Sequence, residues 1–516
     1  MTSHSLAPRE RATKWKATKK TRKKTPNRAV LKSICGPPFY LGYPLPAHPG
    51  DPPARSMRIL APLMEGRLVL KNCSIFRADG RGRAGMAVVI EDGLIRRVAP
   101  DAEVPVLPGD WEVSCRGRLV MPGLVDCHAH LVGDLLVPTS GELLLHPPQV
   151  RLEHDRRLAA LLTAADVEIL SLYAMARALR SGVTLVVDHL MCPGDVTGAL
   201  DAQARAAEQL GLRLVASHAS TSLEGTTESQ DQAEANADFV RRRGSHPLVR
   251  GALGFHASWT CANPLLQRLS RLRESSGAPV VFHLSEGDHD LATTWEQHFQ
   301  RVVPRLESFG LLGPLSVAAY ARAVDDTESV RLAETGTCVA LGPGAALLIE
   351  PSGRALETLH GRQNLMGLGS AGHGNLWDAV TAALATAMGA ARGARLVDPD
   401  GVLVQLFADG PAELCSRLYG VPSGAVEEGR LADVVVFDFV PALDPDSGQA
   451  PFLFGQLGRS RVAWNIVNGR VTVREGQLLG MDEVALAREA SLILSRLWAR
   501  TRIPEAAAHF WPVRQG

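Results

Sequence analysis

Lysine almost vanishes from this chain after its opening segment. Seven of the eight lysines fall between Lys14 and Lys32, the eighth is Lys71, and none follows. The body relies on arginine. No run of about 18 uncharged apolar residues occurs, which excludes an ordinary membrane-spanning helix, and no apolar core of a signal peptide stands near the N-terminus. The eight cysteines (Cys35, Cys73, Cys115, Cys127, Cys192, Cys261, Cys338 and Cys415) are scattered, without a Cys-x-x-Cys pair. A disulfide framework is not expected in a chain of this length, and a reducing cytoplasm is the expected compartment.

What is present is ordinary globular material, 46% hydrophobic and 21% charged, in 516 residues. The formal net charge of +1 hides a split. Residues 1–56 carry twelve Lys/Arg against Glu10 and Asp51, so the remainder is net acidic. An acidic body does not suit a nucleic-acid binder. The basic segment lacks apolar periodicity, and it reads as a disordered extension ahead of Met57 rather than a targeting peptide or binding arm.

From residue 57 to about 121 the text is strand-like. Leu68 to Phe76, Met86 to Ile90 and Leu94 to Val98 are apolar-rich, with Asp79-Gly80-Arg81-Gly82 and Asp92-Gly93 as turns. A matching set returns over residues 421–480. Asp433 to Phe439 is one strand, and Val462 to Val467, Asn468-Gly469 and Val471 to Val473 form a hairpin signal. The two chain ends are expected to pair in one small composite β-domain, followed over 481–516 by a helix and tail.

The middle, residues 122–420, alternates short apolar runs with helical text, the signature of a parallel sheet. Eight candidate strands stand in order: Leu124–Cys127, Thr184–Asp188, Leu212–Ser217, Arg250–Phe255, Pro279–Phe282, Leu315–Ala319, Cys338–Leu341 and Leu365–Gly369. Helical text such as Leu170 to Arg180 and Ala199 to Leu210 lies between them. Eight units in this span predict a (β/α)8 TIM barrel, whose reactive groups sit at the C-terminal ends of the strands. There the sequence places His128 and His130, His189, His218, His256 and His283. Histidine is the usual neutral metal ligand, and residues i and i+2 of a strand share a side, so His128 and His130 can bind one ion together. With 16 histidines in 516 residues, chance gives about half of one His-x-His pair, so the pair counts only through its context.

That context is Arg118-Leu-Val-Met-Pro-Gly-Leu-Val-Asp-Cys-His-Ala-His-Leu131. It resembles the first-strand motif of the amidohydrolase superfamily, in its aminohydrolase/chlorohydrolase branch. Ser181-Gly-Val-Thr-Leu-Val-Val-Asp188, Gly254-Phe-His-Ala-Ser-Trp-Thr260, Phe282-His-Leu-Ser-Glu286 and Glu428-Gly-Arg-Leu-Ala-Asp-Val-Val-Val-Phe437 resemble later motifs in family order. The text after Glu286 is most similar to the SsnA-like aminohydrolases. The resemblance implies metal ligands at His128, His130 and His283, a proton shuttle at Glu286 and a substrate-facing histidine at His256. It implies one divalent ion, with Zn²⁺ the expected one, and hydrolysis of a non-peptide C–N bond in a small nitrogenous molecule, as in a deaminase or amidohydrolase. Family members commonly form dimers, so a homodimer is compatible. His189 and His218 are read as pocket or core-edge residues.

The sequence departs from the family on one side. Tyr320 stands where the sixth strand normally ends in histidine, and Ala323 replaces a histidine just beyond. Leu341-Gly-Pro-Gly-Ala-Ala346 lacks the usual polar residues of the seventh strand end. Ala371 replaces the metal-binding, proton-accepting aspartate of the eighth, with His373 two residues away as a candidate substitute. Absence of lysine in the barrel excludes the family variant that bridges two metals with a modified lysine. The departures leave a second reading open, a catalytically degenerate binding or scaffold protein on an enzyme fold.

The basic segment is expected to be dispensable. A chain beginning at Met57 should stay within a few degrees of the full-length melting temperature; a larger fall, or insolubility, would show that residues 1–56 belong to the fold.

Overall fold

A computed structural model describes residues 66–76, 82–136, 147–342, 354–371, 375–392, 399–441 and 457–500. Residues 1–56, the turn at Asp79, His373 and the segment from Pro343 lie outside the described residues, so the readings placed on them are not addressed below.

The chain enters as five strands, β1 (Leu68–Phe76), β2 (Gly82–Glu91), β3 (Leu94–Pro100), β4 (Trp111–Ser114) and β5 (Leu119–Pro122). β1, β2 and β3 pair antiparallel, while β4 and β5 run parallel to β1. Asp92 and Gly93 turn the β2–β3 hairpin with φ of 51° and 74°, the doubly left-handed conformation of a type I′ turn.

The chain then forms the barrel strands β6 (Leu124–Ala129), β7 (Val183–Leu190), β8 (Arg213–His218), β9 (Val249–Gly251), β10 (Leu253–Ala257), β11 (Val280–Leu284), β12 (Ser316–Tyr320), β13 (Cys338–Leu341) and β14 (Met366–Leu368). All neighbouring pairings are parallel, β6 to β9 in one run and β10 to β14 in another. Only Ala252 separates β9 from β10, so the nine segments are eight strands, as the apolar runs predict, with the fourth interrupted. Asn236 stitches the interruption: it accepts from the His218 N–H and donates to the Gly254 carbonyl. The last strand meets the first where Ser370 N–H donates to Asp126 Oδ1 (3.0 Å) and Ala371 N–H to the His128 carbonyl (3.2 Å). Helices return the chain between strands. Ala164–Arg180 starts at a Thr163 capping box and Val196–Leu210 at Asp195, ending at left-handed Gly211; such caps are each worth about 1 kcal/mol. The interior is filled by Cys127, Leu185, Val187, Val215, Val281, Val317 and Cys338, all fully buried.

The chain ends with β15 (Val434–Phe437), β16 (Val462–Val467), β17 (Arg470–Arg474) and β18 (Gln477–Leu478), and a helix over Glu483–Arg500. β15 lies antiparallel against β5, pairing Val434 with Pro122 and Val436 with Val120. That contact zips the two chain ends into one nine-stranded sheet, the expected composite β-domain. The seven described cysteines are free and buried. Among the described residues no single helix is both long and apolar enough to cross a membrane.

One buried ion pair ties barrel to sheet. Arg213, opening β8, donates to Asp433 Oδ2 (2.6 Å), Asn468 Oδ1 (2.9 Å) and the Pro247 carbonyl, and its guanidinium lies over the Tyr419 ring. Asp433 Oδ1 accepts the Asn468 N–H at 2.7 Å. Removing one partner of such a pair strands a buried charge. Arg213→Met is therefore expected to lower stability by about 3–5 kcal/mol, read by denaturant unfolding, whereas Arg213→Met with Asp433→Leu should lose much less. Equal losses in both variants would mean that packing, not the charge, is what matters there.

Candidate active site at the mouth of the barrel

Two buried aspartates fix the backbone from which the first histidines project. Asp126 Oδ1 accepts the His128 N–H (3.3 Å) as well as that of Ser370, and Asp188 accepts from Leu131 N–H (2.7 Å) and Gln203 (2.7 Å). Burial pushes Asp126 up to about 7 and Asp188 up to about 6. The strand ends are held in an unusual backbone conformation: Ser285, Tyr320 and Ala321 have φ of 45°, 76° and 52°. Left-handed non-glycine residues of this kind cost on the order of 1–3 kcal/mol each and gather at functional sites.

Four imidazoles converge in this mouth. From His283 Nε2, His128 Nε2 is 3.1 Å away, His130 Nε2 3.2 Å and His189 Nδ1 3.3 Å. All four nitrogens lie within 4.8 Å of one another. Hydrogen bonds on the far sides of two rings set their tautomers. His130 Nδ1 faces the His189 carbonyl at 2.8 Å; a carbonyl only accepts, so Nδ1 carries the proton and Nε2 is bare. His283 Nδ1–H donates to Glu286 Oε1 at 2.7 Å, which leaves its Nε2 bare as well. Burial holds all four rings below the ordinary histidine range, so protonation is resisted where the nitrogens crowd together. Bare lone pairs at such separations repel unless something positive sits among them. A divalent cation is the group that fits this donor set.

Glu286 stands beside the cluster. Its Oε2 accepts from Trp259 Nε1 at 3.0 Å, and its Oε1 lies 3.9 Å from His256 Nε2. Thr260 gives its hydroxyl proton to the Ala257 carbonyl (3.1 Å), so at 3.0 Å it accepts from His256 Nδ1–H. His256 Nε2 is thus an acceptor turned toward a carboxylate, and a donor placed between them would satisfy both.

Among the described residues, the sixth to eighth strand ends bring neither a histidine nor a carboxylate to the cluster. Ala371 is buried and offers only a methyl group. Tyr320 takes the place of the expected histidine, with its hydroxyl 3.4 Å from His130 Nε2 and its ring edge-on to His283. Burial pushes its phenol pKa up, so the proton stays on. Gly342 makes room for the ring: a Cβ there would lie 3.1 Å from Tyr320 Cε1.

The structure brings together the five residues given a metal or catalytic role from sequence: His128, His130, His256, His283 and Glu286. It also draws His189 into the cluster, although sequence reading left it as a pocket or core-edge residue. Trp259 and Asp290, which accepts the Glu286 N–H at 3.2 Å, were passed over. Trp259 lies inside the quoted Gly254–Thr260 segment, three residues past His256, and that proximity was the available signal. His218 is buried with neither ring nitrogen partnered.

Fold and site together define a barrel of the metal-dependent hydrolase class. A model of the Amidohydrolase family matches residues 119–472, and this chain belongs to that family. It is similar to a 5'-deoxyadenosine deaminase of Methanothermobacter thermautotrophicus, 26% identical over 78% of this chain and 93% of the relative. It is also similar to a 5-methylthioadenosine/S-adenosylhomocysteine deaminase of Nitratidesulfovibrio vulgaris, 28% identical over 78% of this chain and 90% of the relative. Among solved structures, an adenosine deaminase from Xanthomonas campestris with bound zinc superposes with a TM-score of 0.71, at 23% identity over 84% of this chain and 98% of that one. Atrazine chlorohydrolase from Arthrobacter aurescens, complexed with zinc, gives 0.72 at 18% identity, over 83% and 100%.

His218 is expected to make the fold sensitive to acid. Burial lowers its pKa from 6.5 to about 4. Between those values the unfolded chain binds a proton that the folded chain refuses, so stability falls as pH falls through the window and is unaffected above it. The slope from this group is about 1.4 kcal/mol per pH unit. His218→Leu should flatten denaturant stability against pH by one proton's worth between pH 6.5 and 4; an unchanged slope would mean that His218 is protonated in the fold.

Proposed function

We propose that this protein is a mononuclear metal-dependent hydrolase that deaminates a small nitrogen heterocycle, with adenosine derivatives altered at the 5' position as the first substrates to test. The observation that carries the reading is the convergence of bare imidazole nitrogens beside a carboxylate and His256. The substrate class is suggested by the names of the relatives. His128, His130 and His283 would hold the ion. Zn²⁺ suits an all-nitrogen donor set. A bound divalent ion supplies positive charge that makes water acidic and nucleophilic near neutral pH.

The chain's own residues account for the rest. His256 Nε2 and Glu286 Oε1 form a pair of acceptors that can grip an N–H of the substrate and orient its ring. In net terms water adds its oxygen to the ring carbon, the C–N bond breaks, and ammonia leaves. Glu286 moves the proton: it takes one from the water and hands it to the departing nitrogen. Trp259 and His283 hold one carboxylate oxygen each, so the group that shuttles is already oriented. The weak point is Ala371, because no carboxylate stands there to take the first proton. Ala371 and Tyr320 favour the second reading, a binding protein that kept the metal cradle and lost turnover.

Ammonia release from 5'-deoxyadenosine, 5'-methylthioadenosine and a panel of guanidine, amidine and pyrimidine-ring compounds tests this. The zinc-loaded protein should be slow, Glu286→Gln should lose about 10²–10⁴-fold, and Ala371→Asp should gain within the same range. Fast wild-type turnover that dies with Glu286→Gln would mean that another base already stands in for Ala371. Silence from wild type and from Ala371→Asp with Tyr320→His, with metal bound normally, would hand the case to the binding reading.

A further inference from the structure

We propose that His189 is a fourth protein ligand of the cation, filling the coordination position that Ala371 leaves without a carboxylate. The proposal rests on the metal reading of the mouth given above, and on four observations specific to this chain.

The first is place. β7 lies directly beside β6, with Asp188 paired to Ala129, so His189 emerges next to the His128–His130 pair. The His189 carbonyl also accepts the His130 Nδ1–H at 2.8 Å. One peptide therefore fixes the tautomer of a neighbouring ligand and presents a further ring to the same centre.

The second is spacing. The separations from His283 Nε2 to the nitrogens of His128, His130 and His189 are 3.1, 3.2 and 3.3 Å. For metal–nitrogen bonds of about 2.0–2.1 Å, the edge of a tetrahedron is about 3.3 Å. His189 meets that spacing as well as either residue of the pair does.

The third is proton accounting. His283 Nε2 has one lone pair and three nitrogen neighbours. At most one of them can satisfy it with a proton, and His130 is excluded because its proton sits on Nδ1. If His189 carried its proton on Nδ1 to serve His283, its Nε2 would be a buried acceptor with no partner; His130 Nε2 would keep only the Tyr320 hydroxyl at 3.4 Å, and His128 Nε2 would face a His283 lone pair already taken. If the proton sits on Nε2 instead, Nδ1 is a fourth bare nitrogen aimed at the centre. A cation removes the conflict, and His189 Nδ1 is then a donor like the other three.

The fourth is the state of the nearby acids. Asp126 and Asp188 spend their oxygens on the backbone N–H groups of His128, Ser370 and Leu131 and on Gln203. Glu286 is held by His283 and Trp259. Among the described residues at the cluster, His128 and His189 are the rings with no hydrogen bond outside it, and His189 is the one the triad of His128, His130 and His283 does not already use. A neutral imidazole in place of an anionic carboxylate leaves the full dipositive charge of the ion uncompensated. Such a centre attracts anionic ligands more strongly, and it admits water by expanding to five-coordination.

The test uses the full chain loaded with zinc, read by X-ray absorption and by chelator competition. Wild type should bind one equivalent with four imidazoles. His189→Ala should show three and bind at least about 10-fold more weakly, since even residues that only orient a ligand cost 10–100-fold. His189→Gln, a gentler change, should behave alike, guarding against loss by misfolding. Adding Ala371→Asp to His189→Ala should recover affinity, and by more than the same change gains in the otherwise wild-type chain, because only there is a coordination position vacant; equal gains in the two backgrounds would count against the assignment. One equivalent bound with unchanged affinity and imidazole count in both His189 variants would overturn the assignment and leave the metal reading standing. No zinc bound by wild type would overturn both.

Discussion

Imidazole nitrogens turned toward one another in a buried mouth are the constraint around which this molecule is arranged. Isolated, such a cluster is unfavourable: burial resists protonation, and unprotonated nitrogens repel. The surrounding structure nonetheless imposes it. The His189 carbonyl and Glu286 orient two of the rings from outside, and Asp126 and Asp188 pin the backbone beneath them. Left-handed conformations at Ser285, Tyr320 and Ala321 add local strain. An arrangement opposed this consistently by solvation and sterics is explicable if a positive charge belongs at its centre.

The cost is carried at the other end of the barrel. The composite sheet grips the N-terminal ends of the strands: Gly123 N–H donates to the Asp433 carbonyl, Asn465 donates to the Leu179 and Val183 carbonyls, and Arg213 reaches Asp433. The C-terminal ends carry the histidines. This separation of a stabilising face from a reactive face is the usual division of labour in such barrels. Here it is reinforced by drawing both ends of the chain into the anchor. The anchor shares no residue with the mouth, where Tyr320 and Ala371 stand at the sixth and eighth strand ends, so the fold can persist while the chemistry changes.

Most of the fold was legible because its signals are local. Apolar runs gave the eight barrel strands to within about two residues, and Asp92-Gly93 and Asn468-Gly469 gave both hairpins, since a type I′ turn needs what those pairs tolerate. The interruption at Ala252 was not legible, because nothing in Arg250–Phe255 distinguishes a broken strand from a whole one. The site was legible where it is sequential: His128, His130, His283 and Glu286 fall in short motifs. Trp259 and His189 needed three dimensions. Their roles come from side chains reaching across strands far apart in the chain, to Glu286 in one case and His283 in the other, and no spacing within one motif encodes that.

The asymmetry of the mouth bears most directly on what the protein can do. In a hydrolytic site of this kind the cation and the first proton acceptor perform separate tasks, and this chain presents donors for one while position 371 offers no acceptor for the other. Tyr320 cannot fill the gap, because burial raises its phenol pKa and its hydroxyl remains a donor. His256 is better placed, with a bare Nε2 near Glu286, but burial lowers its basicity too. Glu286 is the carboxylate that stands at the edge of the cluster, and it is already tied to His283 and Trp259. Each proton it accepts must weaken its bond to His283 Nδ1, and with it the orientation of a ligand. On the proposed reading, holding the cation and activating water are coupled through one carboxylate. Turnover should be limited by how far Glu286 can loosen from His283 without releasing the centre it helps to build.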